Sequence, residues 1–178
     1  MVIEKKIGCK YFVFCGPESC GKSTMVFESY RKYGGELVQE YARIYLEGRK
    51  GIYEYKDLKN IGLGQENEEK TLSENSSLLW CDTDLITILI WSLDKFGKID
   101  PMLLKAWDKT SKRNRHYFLC YPDIPWEYDV LRENPHDRKR IFDLYANFLV
   151  KNKLSYSVLK GAKEEKHDII AKSFNILK

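Results

Sequence analysis

The stretch Gly16-Pro17-Glu18-Ser19-Cys20-Gly21-Lys22-Ser23 decides the fold of this 178-residue chain. It matches the pattern G-x-x-x-x-G-K-[ST] at every specified position. Its two glycines allow tight turns, so that successive backbone N–H groups can point inward at a phosphate. The pattern predicts that Lys22 reaches the β- and γ-phosphates of a nucleotide and that the Ser23 hydroxyl binds Mg²⁺.

The residues on both sides of this loop supply the context that the motif requires. A β-rich run, 11–15, precedes it, and a helical run, 22–33, follows it and aims its N-terminal amides at the anion. Cys20 lies inside the loop, either as a plain small residue or as a thiol activated by the helix N-terminus. The predicted nucleotide contacts are Gly16, Pro17, Glu18, Ser19, Cys20, Gly21, Lys22, Ser23 and Thr24.

Strand-like and helix-like runs alternate along the rest of the chain. Short apolar runs predict further strands over 36–39, 77–81, 116–121 and 155–159. Helices are predicted over 40–47, 55–75, 84–96, 102–111, 137–151 and 162–176. Strands separated by helices predict a parallel sheet with right-handed crossovers. The predicted fold class is therefore α/β: a P-loop NTPase three-layer sandwich with a five-stranded parallel sheet, similar to nucleoside and nucleotide kinases.

Composition and charge indicate an ordinary globular protein. The length fits a single domain over residues 1–178, and 43% of the residues are hydrophobic. The small excess of 30 basic over 26 acidic residues suits an anionic small ligand and does not predict nucleic-acid binding. No signal peptide is recognisable, and the most apolar stretch, 85–93, is too short to cross a bilayer. We therefore expect a cytoplasmic protein that has no membrane partner.

Carboxylates follow two of the predicted strands, at the edge where ligands bind in open α/β sheets. Asp82 follows the apolar run 78–81 and is predicted to hold Mg²⁺. Asp84 either faces the same crevice or caps the next helix, and the two roles are compatible. Glu40 is either the base that accepts the proton of an attacking hydroxyl or a carboxylate favoured at a helix N-terminus. Arg43 is either a substrate or phosphate contact or an ion-pair partner.

The proline-bounded stretch 122–135 mixes arginines, acids and aromatics after the fourth predicted strand. Loops at this edge carry function more often than other loops do. Arg132 and Arg138 are predicted to close over the phosphates as a lid and to stabilise charge during transfer, although Arg138 can also simply start the next helix. Trp126 and Tyr41 are candidates to stack on a flat base.

The chain resembles the ribosylnicotinamide kinase domain of the NadR family and its stand-alone P-loop relatives. The resemblance is carried, in order, by GPESCGKST at 16–24, EYAR at 40–43, GQENE at 64–68, CDTDL at 81–85 with Trp91 after it, and DIPWEYDVLREN-PHDR at 123–138. These blocks run over nearly the whole chain. The CDTD and DIPW blocks are far more specific than the phosphate loop alone.

The resemblance implies an ATP- and Mg²⁺-dependent kinase that acts on a ribonucleoside, which forms nicotinamide mononucleotide in the named family. It also implies that Asp82 and Asp84 serve the metal and the substrate hydroxyls, and that the loop carrying Arg132 and Arg138 is the lid. Bifunctional members have DNA-binding and adenylyltransferase domains ahead of the kinase, for which we expect no room before the first strand. Gln39 departs from the family, whose kinases can place a stacking tryptophan here.

Three functions are compatible with these patterns. The first is a nucleoside kinase with nicotinamide riboside as its acceptor; the second is a deoxynucleoside or nucleotide kinase; the third is a nucleotide-dependent ATPase or switch that acts on a protein partner. The paired carboxylates and aromatics favour an enclosed acceptor pocket, and hence an enzyme with a small-molecule nucleoside as partner. The predicted catalytic residues are Lys22, Glu40, Asp82, Arg132 and Arg138, and the predicted substrate contacts are Glu40, Tyr41, Arg43, Asp84 and Trp126.

Overall fold

The computed structural model describes residues 8–47, 49, 52–129, 132 and 136–177. Over these ranges the chain forms five strands: β1 (Lys10–Cys15), β2 (Glu36–Val38), β3 (Leu78–Asp82), β4 (Asn114–Cys120) and β5 (Tyr156–Leu159). The same ranges contain seven helices: α1 (Lys22–Tyr33), α2 (Tyr41–Leu46), α3 (Tyr55–Ser73), α4 (Leu85–Phe96), α5 (Pro101–Thr110), α6 (Arg138–Lys151) and α7 (Lys163–Leu177).

The strands of the described residues pair in the order β2-β3-β1-β4-β5, and every pair is parallel. The predicted five-stranded parallel sheet is therefore confirmed. Strand β1 lies at its centre, with β3 on one side and β4 on the other. The register pairs Phe14 with Asp82 and Cys15 with Leu119, so the loop after β1 emerges between the ends of β3 and β4.

The sheet is covered by helices on both faces, because alternate side chains of a strand point in opposite directions. Val13 and Cys15 of β1 pack in one apolar cluster with residues of α4 and α6. Phe12 and Phe14 pack in a second cluster with residues of α1 and α7. Burying one such phenylalanine completely contributes roughly 1.5–3 kcal/mol relative to leaving it exposed. This arrangement is the predicted three-layer sandwich.

The limits of the elements differ from the predicted ones by one or two residues at most ends. Strand β4 begins at Asn114, two residues earlier than predicted, because the buried Arg115 is held by ion pairs that allow a charged residue inside the sheet. Gly48, which follows the predicted helix 40–47, and part of the predicted loop 122–135 (130–131 and 133–135) lie outside the described residues. None of the helices in the described part of the chain is long and apolar enough to span a membrane.

Candidate functional site

The phosphate-binding loop connects β1 to α1, and its glycines have backbone conformations that other residues rarely adopt. Gly16 has a φ of 130° and Gly21 has a φ of 85°. A Cβ atom on Gly16 would lie 2.7 Å from the carbonyl oxygen of Cys120 at the end of β4. Gly16 is therefore required for the turn and also for the close approach of β4 to the loop.

The Lys22 ammonium folds back over the loop. Its Nζ donates hydrogen bonds to the carbonyl oxygens of Gly16, at 3.1 Å, and Pro17, at 2.7 Å. Burial opposes the charge, but neighbouring thiol, phenol and carboxylate groups outweigh burial and raise the pKa of Lys22. Lys22 is thus a permanently charged group that can exchange two carbonyl partners for the oxygens of a phosphate.

A cavity of about 550 Å³ opens above the loop. Residues 16–24 form one wall, α2 and α4 contribute a second, and residues 124, 125, 127 and 132 with α6 contribute a third. This volume lies within the range of small-ligand sites. The loop and the predicted lid therefore line one cavity, and this cavity extends along α4.

Asp82 stands at the end of β3, where its carboxylate shares a hydrogen bond with the Ser23 hydroxyl. Burial raises the pKa of Asp82, against the opposing effects of Ser23, Lys22 and Arg43. Among the described residues, the buried Oδ1 of Asp82 has no hydrogen-bond partner. An open carboxylate oxygen beside a serine hydroxyl fits a divalent cation of the Mg²⁺ type, which prefers oxygen ligands.

The described residues contain no cluster of three or more His, Cys, Asp or Glu side chains arranged to hold a metal ion. A cation at Asp82 and Ser23 would need further oxygen ligands, which nucleotide phosphates and water can supply. The donor set fits a metal that arrives with the nucleotide better than a resident metal.

Glu40 occupies the N-cap position of α2 and lines the cavity. Burial and the nearby Asp82 raise the pKa of Glu40, while Lys22 and Arg43 act in the opposite direction. A carboxyl group with a raised pKa, close to the phosphate-binding lysine, is suited to accept a proton from a hydroxyl.

Arg43 connects α2 to the lid stretch. Its guanidinium lies 3.9 Å from the Glu40 carboxylate and donates a hydrogen bond to Asp129 at 3.1 Å. The ion-pair alternative for Arg43 is therefore confirmed, and the side chain also lines the cavity. Arg43 thus fixes the Glu40 side of the cavity relative to the lid.

Asp84 lies in a buried ion-pair network instead of the cavity wall. One carboxylate oxygen accepts a hydrogen bond from the backbone of Ile86, and the other accepts hydrogen bonds from Arg115 and Tyr117. Arg115 also contacts the buried Glu69. The cap alternative for Asp84 is confirmed, whereas the geometry does not bring this residue to the predicted substrate site, because both carboxylate oxygens are held by protein groups.

The predicted lid is tied to the phosphate-binding loop. The Ser19 hydroxyl accepts a hydrogen bond from the backbone N–H of Glu127 at 3.1 Å. Arg138 donates to the carbonyl oxygens of Ser19, at 2.8 Å, and Ile124, at 2.9 Å. Arg132 lines the cavity and donates to the Glu127 carbonyl oxygen at 2.6 Å. The structure therefore brings Arg132 to the cavity, and it uses Arg138 to join loop and lid at the first residue of α6.

The two predicted stacking residues lie outside the cavity lining. The Tyr41 ring packs closely against Gly64 of α3, where a Cβ atom would lie 2.2 Å from it. Trp126 packs near Tyr128 with its ring centroid 6.3 Å away, and its buried Nε1 has no hydrogen-bond partner among the described residues. Neither ring is therefore presented to a ligand in this conformation.

Other aromatic residues line the cavity and were missed as site residues by the sequence analysis, among them Tyr53 and Trp91. Tyr53 and Trp91 stack with their ring centroids 6.2 Å apart and an interplanar angle of 24°. The Lys95 ammonium lies 4.0 Å from the Tyr53 ring centroid. A signal for this wall exists in the sequence, because cavity residues recur at helical spacing along α4 at positions 87, 90, 91 and 94.

Comparisons with known proteins agree with this fold. The structure of the NadR protein in complex with NR matches with a TM-score of 0.75 and 18% identity, over 94% of this chain and 49% of that chain. The NadR protein in complex with NAD and AMP-PNP matches with a TM-score of 0.71 and 20% identity, over 93% of this chain and 49% of that one. The chain thus spans about half the length of these NadR proteins.

Kinases of other substrates match over nearly their full length. Deoxyadenosine kinase from M. mycoides, with the products dCMP and dCDP, matches with a TM-score of 0.60 and 15% identity, over 93% of this chain and 98% of that chain. Thymidylate kinase from Ehrlichia chaffeensis matches with a TM-score of 0.61 and 12% identity, over 94% and 99%. These likenesses establish the shared fold, which is that of P-loop nucleoside and nucleotide kinases.

Sequence comparison gives the family. No curated protein matches the sequence. The model of the AAA_28 family, described as an AAA domain, matches residues 11–166, which include the phosphate-binding loop, Asp82 and Arg138. With this match over most of its length, the chain belongs to the AAA_28 family of AAA domains.

Proposed function

We propose that this protein transfers the γ-phosphoryl group of ATP to a hydroxyl of a small nucleoside, with nicotinamide riboside as the best candidate. The observation that carries the proposal is a cavity lined by Lys22, Ser23 and Glu40 in one part and by an aromatic wall in another. Asp82 does not line this cavity but is hydrogen-bonded to Ser23, which does. An enzyme that joins two substrates needs this division into a phosphate end and an acceptor end.

The proposed roles follow from the positions of the side chains. Lys22 binds the transferring phosphoryl group, and Asp82 with Ser23 holds Mg²⁺, which would neutralise phosphate charge when bound. Glu40 accepts the proton of the attacking hydroxyl. Arg132 stabilises the charge that spreads over the phosphoryl oxygens, and Arg138 keeps lid and loop in register.

The acceptor compartment is proposed to lie between α2 and α4. Its aromatic wall, Tyr53 and Trp91, offers flat surfaces for a heterocyclic ring. These residues replace Tyr41 and Trp126 as our stacking candidates. One of the matched structures is of a protein in complex with NR, which supports a pyridine riboside as the first acceptor to test.

A second candidate is a kinase of deoxynucleosides or nucleotides. The matches to deoxyadenosine kinase and thymidylate kinase favour it. The Lys95 ammonium beside Tyr53 also favours a neutral or anionic acceptor over a cationic pyridinium. A nucleotide-dependent ATPase or switch is the third candidate, and it has no use for an acceptor compartment.

A phosphorylation panel separates these candidates. Purified protein is incubated with ATP, Mg²⁺ and one acceptor at a time: nicotinamide riboside, the common ribonucleosides, the deoxynucleosides and the nucleoside monophosphates. ADP release and acceptor mass are both measured, with Trp91→Ala as the acceptor-site variant and Trp107→Ala, which alters an aromatic packed against Phe148, as the matched control.

We expect nicotinamide riboside to gain one phosphoryl group, with a Michaelis constant that rises at least about tenfold in Trp91→Ala and stays unchanged in Trp107→Ala. Phosphorylation of only a deoxynucleoside or a monophosphate would contradict the riboside assignment and leave the kinase assignment standing. Acceptor-independent ADP release would contradict both and favour the ATPase.

A further inference from the structure

Two cysteines meet behind the phosphate-binding loop. Cys20 lies within the loop and Cys120 ends β4, and both belong to the same apolar cluster beside α1. Their thiol groups are in side-chain contact. The strand end that carries Cys120 also packs closely against the loop at Gly16, so the loop and the end of β4 lie side by side.

The surroundings of Cys20 favour its thiolate. The Lys22 Nζ lies 3.8 Å from the Cys20 sulfur and favours the thiolate, whereas the hydrogen bond that the thiol donates to the Pro17 carbonyl oxygen at 2.9 Å favours the neutral form. Burial opposes ionisation, but the contact with Cys120 and the charge of Lys22 outweigh it and lower the pKa of Cys20 to about 7. Thiolate is the form that reacts with oxidants.

The other cysteines have the opposite character. Burial raises the pKa of Cys15 and Cys81 well above the ordinary value, and it raises that of Cys9 to about 11. Cys20 is only 1% exposed but belongs to the cavity lining, so the proposed oxidation requires a small oxidant to reach it through the cavity. Selective reaction at one thiol is therefore expected from its position.

We propose that Cys20 and Cys120 form a redox modification site in which hydrogen peroxide joins the two sulfurs in a disulfide and thereby closes the nucleotide cradle. The inference rests on the proposed function only in assigning a nucleotide to the loop. A single cysteine in the loop would not support the proposal. The second thiol is needed because it allows Cys20 to form a disulfide, which a reductant can reverse.

The chemistry balances in two steps. The Cys20 thiolate attacks one oxygen of hydrogen peroxide, so that an S–O bond forms, the O–O bond breaks and hydroxide leaves to take up a proton as water. The Cys120 sulfur then attacks the sulfenic sulfur of Cys20, and the S–S bond forms as the S–O bond breaks and a second water leaves. Two thiols are oxidised, and one peroxide is reduced to two waters.

The second step is helped by the first. The neighbouring Cys20 is the leading reason that the pKa of Cys120 is raised. Once Cys20 has become a neutral sulfenic acid, it no longer opposes the ionisation of the Cys120 thiol, and Cys120 ionises more readily. A disulfide also withdraws the Cys20 sulfur from the Pro17 carbonyl and changes the backbone between Ser19 and Gly21, whose N–H groups are the predicted phosphate contacts.

The test is a peptide map of the oxidised protein. Reduced protein is treated with hydrogen peroxide, remaining thiols are alkylated, and the non-reduced tryptic digest is analysed by mass spectrometry. Peptide 11–22 contains both Cys15 and Cys20, so fragmentation is used to locate the link to Cys120 in peptide 116–132. Binding of a fluorescent ATP analogue is measured on the same samples before and after treatment with dithiothreitol.

We expect a Cys20–Cys120 link, at least about tenfold weaker nucleotide binding, and recovery with dithiothreitol. Excess ATP during oxidation should slow the linkage. Cys120→Ala should form no link while binding the nucleotide normally when reduced, and Cys81→Ala should behave as the wild type in both measurements.

Two results would overturn the proposal: a wild-type map in which Cys20 stays a free thiol or pairs with another cysteine, and a linked protein that binds the nucleotide as well as the reduced one. The wild-type map decides this even if a variant fails to fold. Because no acceptor is present in the assay, these results leave the kinase proposal unaffected. A protein that forms the link but phosphorylates no acceptor would contradict only the kinase proposal.

Discussion

Lys22 is the residue on which the proposed phosphoryl transfer depends most. It is the cation of the phosphate-binding loop, and its neighbours raise its pKa so that its charge is permanent. We expect Lys22→Ala to lower kcat/KM by on the order of 10²–10³, because a positioned charge at the transferring group is lost. The measurement is steady-state ADP release with the accepted nucleoside.

The matched control for Lys22 is Lys112→Ala, which removes an exposed lysine paired with Asp108 near the end of α5. It should leave the rate unchanged. Near-normal turnover of a folded Lys22→Ala protein would rule out the assignment of this loop to the transferred phosphate.

Asp82→Asn is expected to raise the Mg²⁺ requirement of activity without lowering the stability of the fold. The substitution removes the carboxylate beside Ser23, so the Mg²⁺ concentration needed for half-maximal rate should rise by about tenfold or more. Because burial already opposes the charge of Asp82, the melting temperature should stay level or rise. Mg²⁺ titrations of activity and thermal unfolding measure the two effects.

Asp94→Asn is the control for that prediction, since Asp94 lines the cavity but is held by Arg140 through two hydrogen bonds. Its Mg²⁺ dependence should match that of the wild type. Unaltered Mg²⁺ dependence in Asp82→Asn would place the metal carboxylate elsewhere.

The lid stretch and α6 act together at the scale of secondary-structure elements. Arg132 and Arg138 contact lid carbonyls, and Arg138 also holds the loop at Ser19. We expect Arg132→Ala and Arg138→Ala each to lower kcat by about tenfold with little change in ATP affinity, because their effect is on the transition state. Lys139→Ala, one residue into α6, is the control.

Single-turnover kinetics and equilibrium ATP binding distinguish these effects. A change confined to thermal stability would reduce both arginines to structural residues. If Arg138→Ala mainly weakens ATP binding, then it shapes the loop in the ground state, as its contact with Ser19 allows.

The orientation of α4 depends on the buried ion-pair network at its start. Asp84 caps α4, and Arg115 holds both Asp84 and Glu69. Arg115→Ala leaves the buried Asp84 without its cation and Glu69 with only the more exposed Arg113, so we expect it to destabilise the fold by about 3–5 kcal/mol. Urea unfolding gives the free energy.

The control is Arg113→Ala, since Arg113 also contacts Glu69 but is more exposed than Arg115. Its effect should be much smaller. A loss below about 1 kcal/mol in Arg115→Ala would mean that the network contributes little to the fold.

Stability of the whole molecule should fall in mild acid because of His116. This buried ring lies between the hydroxyls of Ser155, which directly precedes β5, and Ser157, which lies within β5. These two contacts join β4 to β5. Burial, with a smaller effect of Lys10, lowers the pKa of His116 from 6.5 to about 4. Between these two values the unfolded chain binds more protons than the folded one, so stability decreases as pH falls.

The expected loss between pH 6.5 and pH 4 is at most about 3 kcal/mol from this residue. Urea unfolding at a series of pH values measures it, and His116→Asn should flatten the slope in this window. His136→Asn, at an exposed histidine, is the control. A slope that is the same in His116→Asn and in the wild type would contradict the assignment to His116.

Local patterns in the sequence were enough to predict the phosphate-binding loop, the parallel sheet and the place of Asp82. Each of these depends on neighbouring residues: two glycines and a lysine at fixed spacing, apolar runs, and a carboxylate directly after a strand. Parallel strands then bring their carboxyl ends to one edge without further information.

The acceptor wall and the role of Asp84 were decided by tertiary structure. Tyr53 reaches Trp91 only because the chain between α2 and α3 returns to α4, and Tyr41 leaves the cavity because α3 offers a glycine surface at Gly64. Asp84 turns inward because Arg115, on a different strand, supplies a buried partner for it. These contacts join residues far apart in sequence, and their energies depend on burial, which the local pattern of residues does not contain.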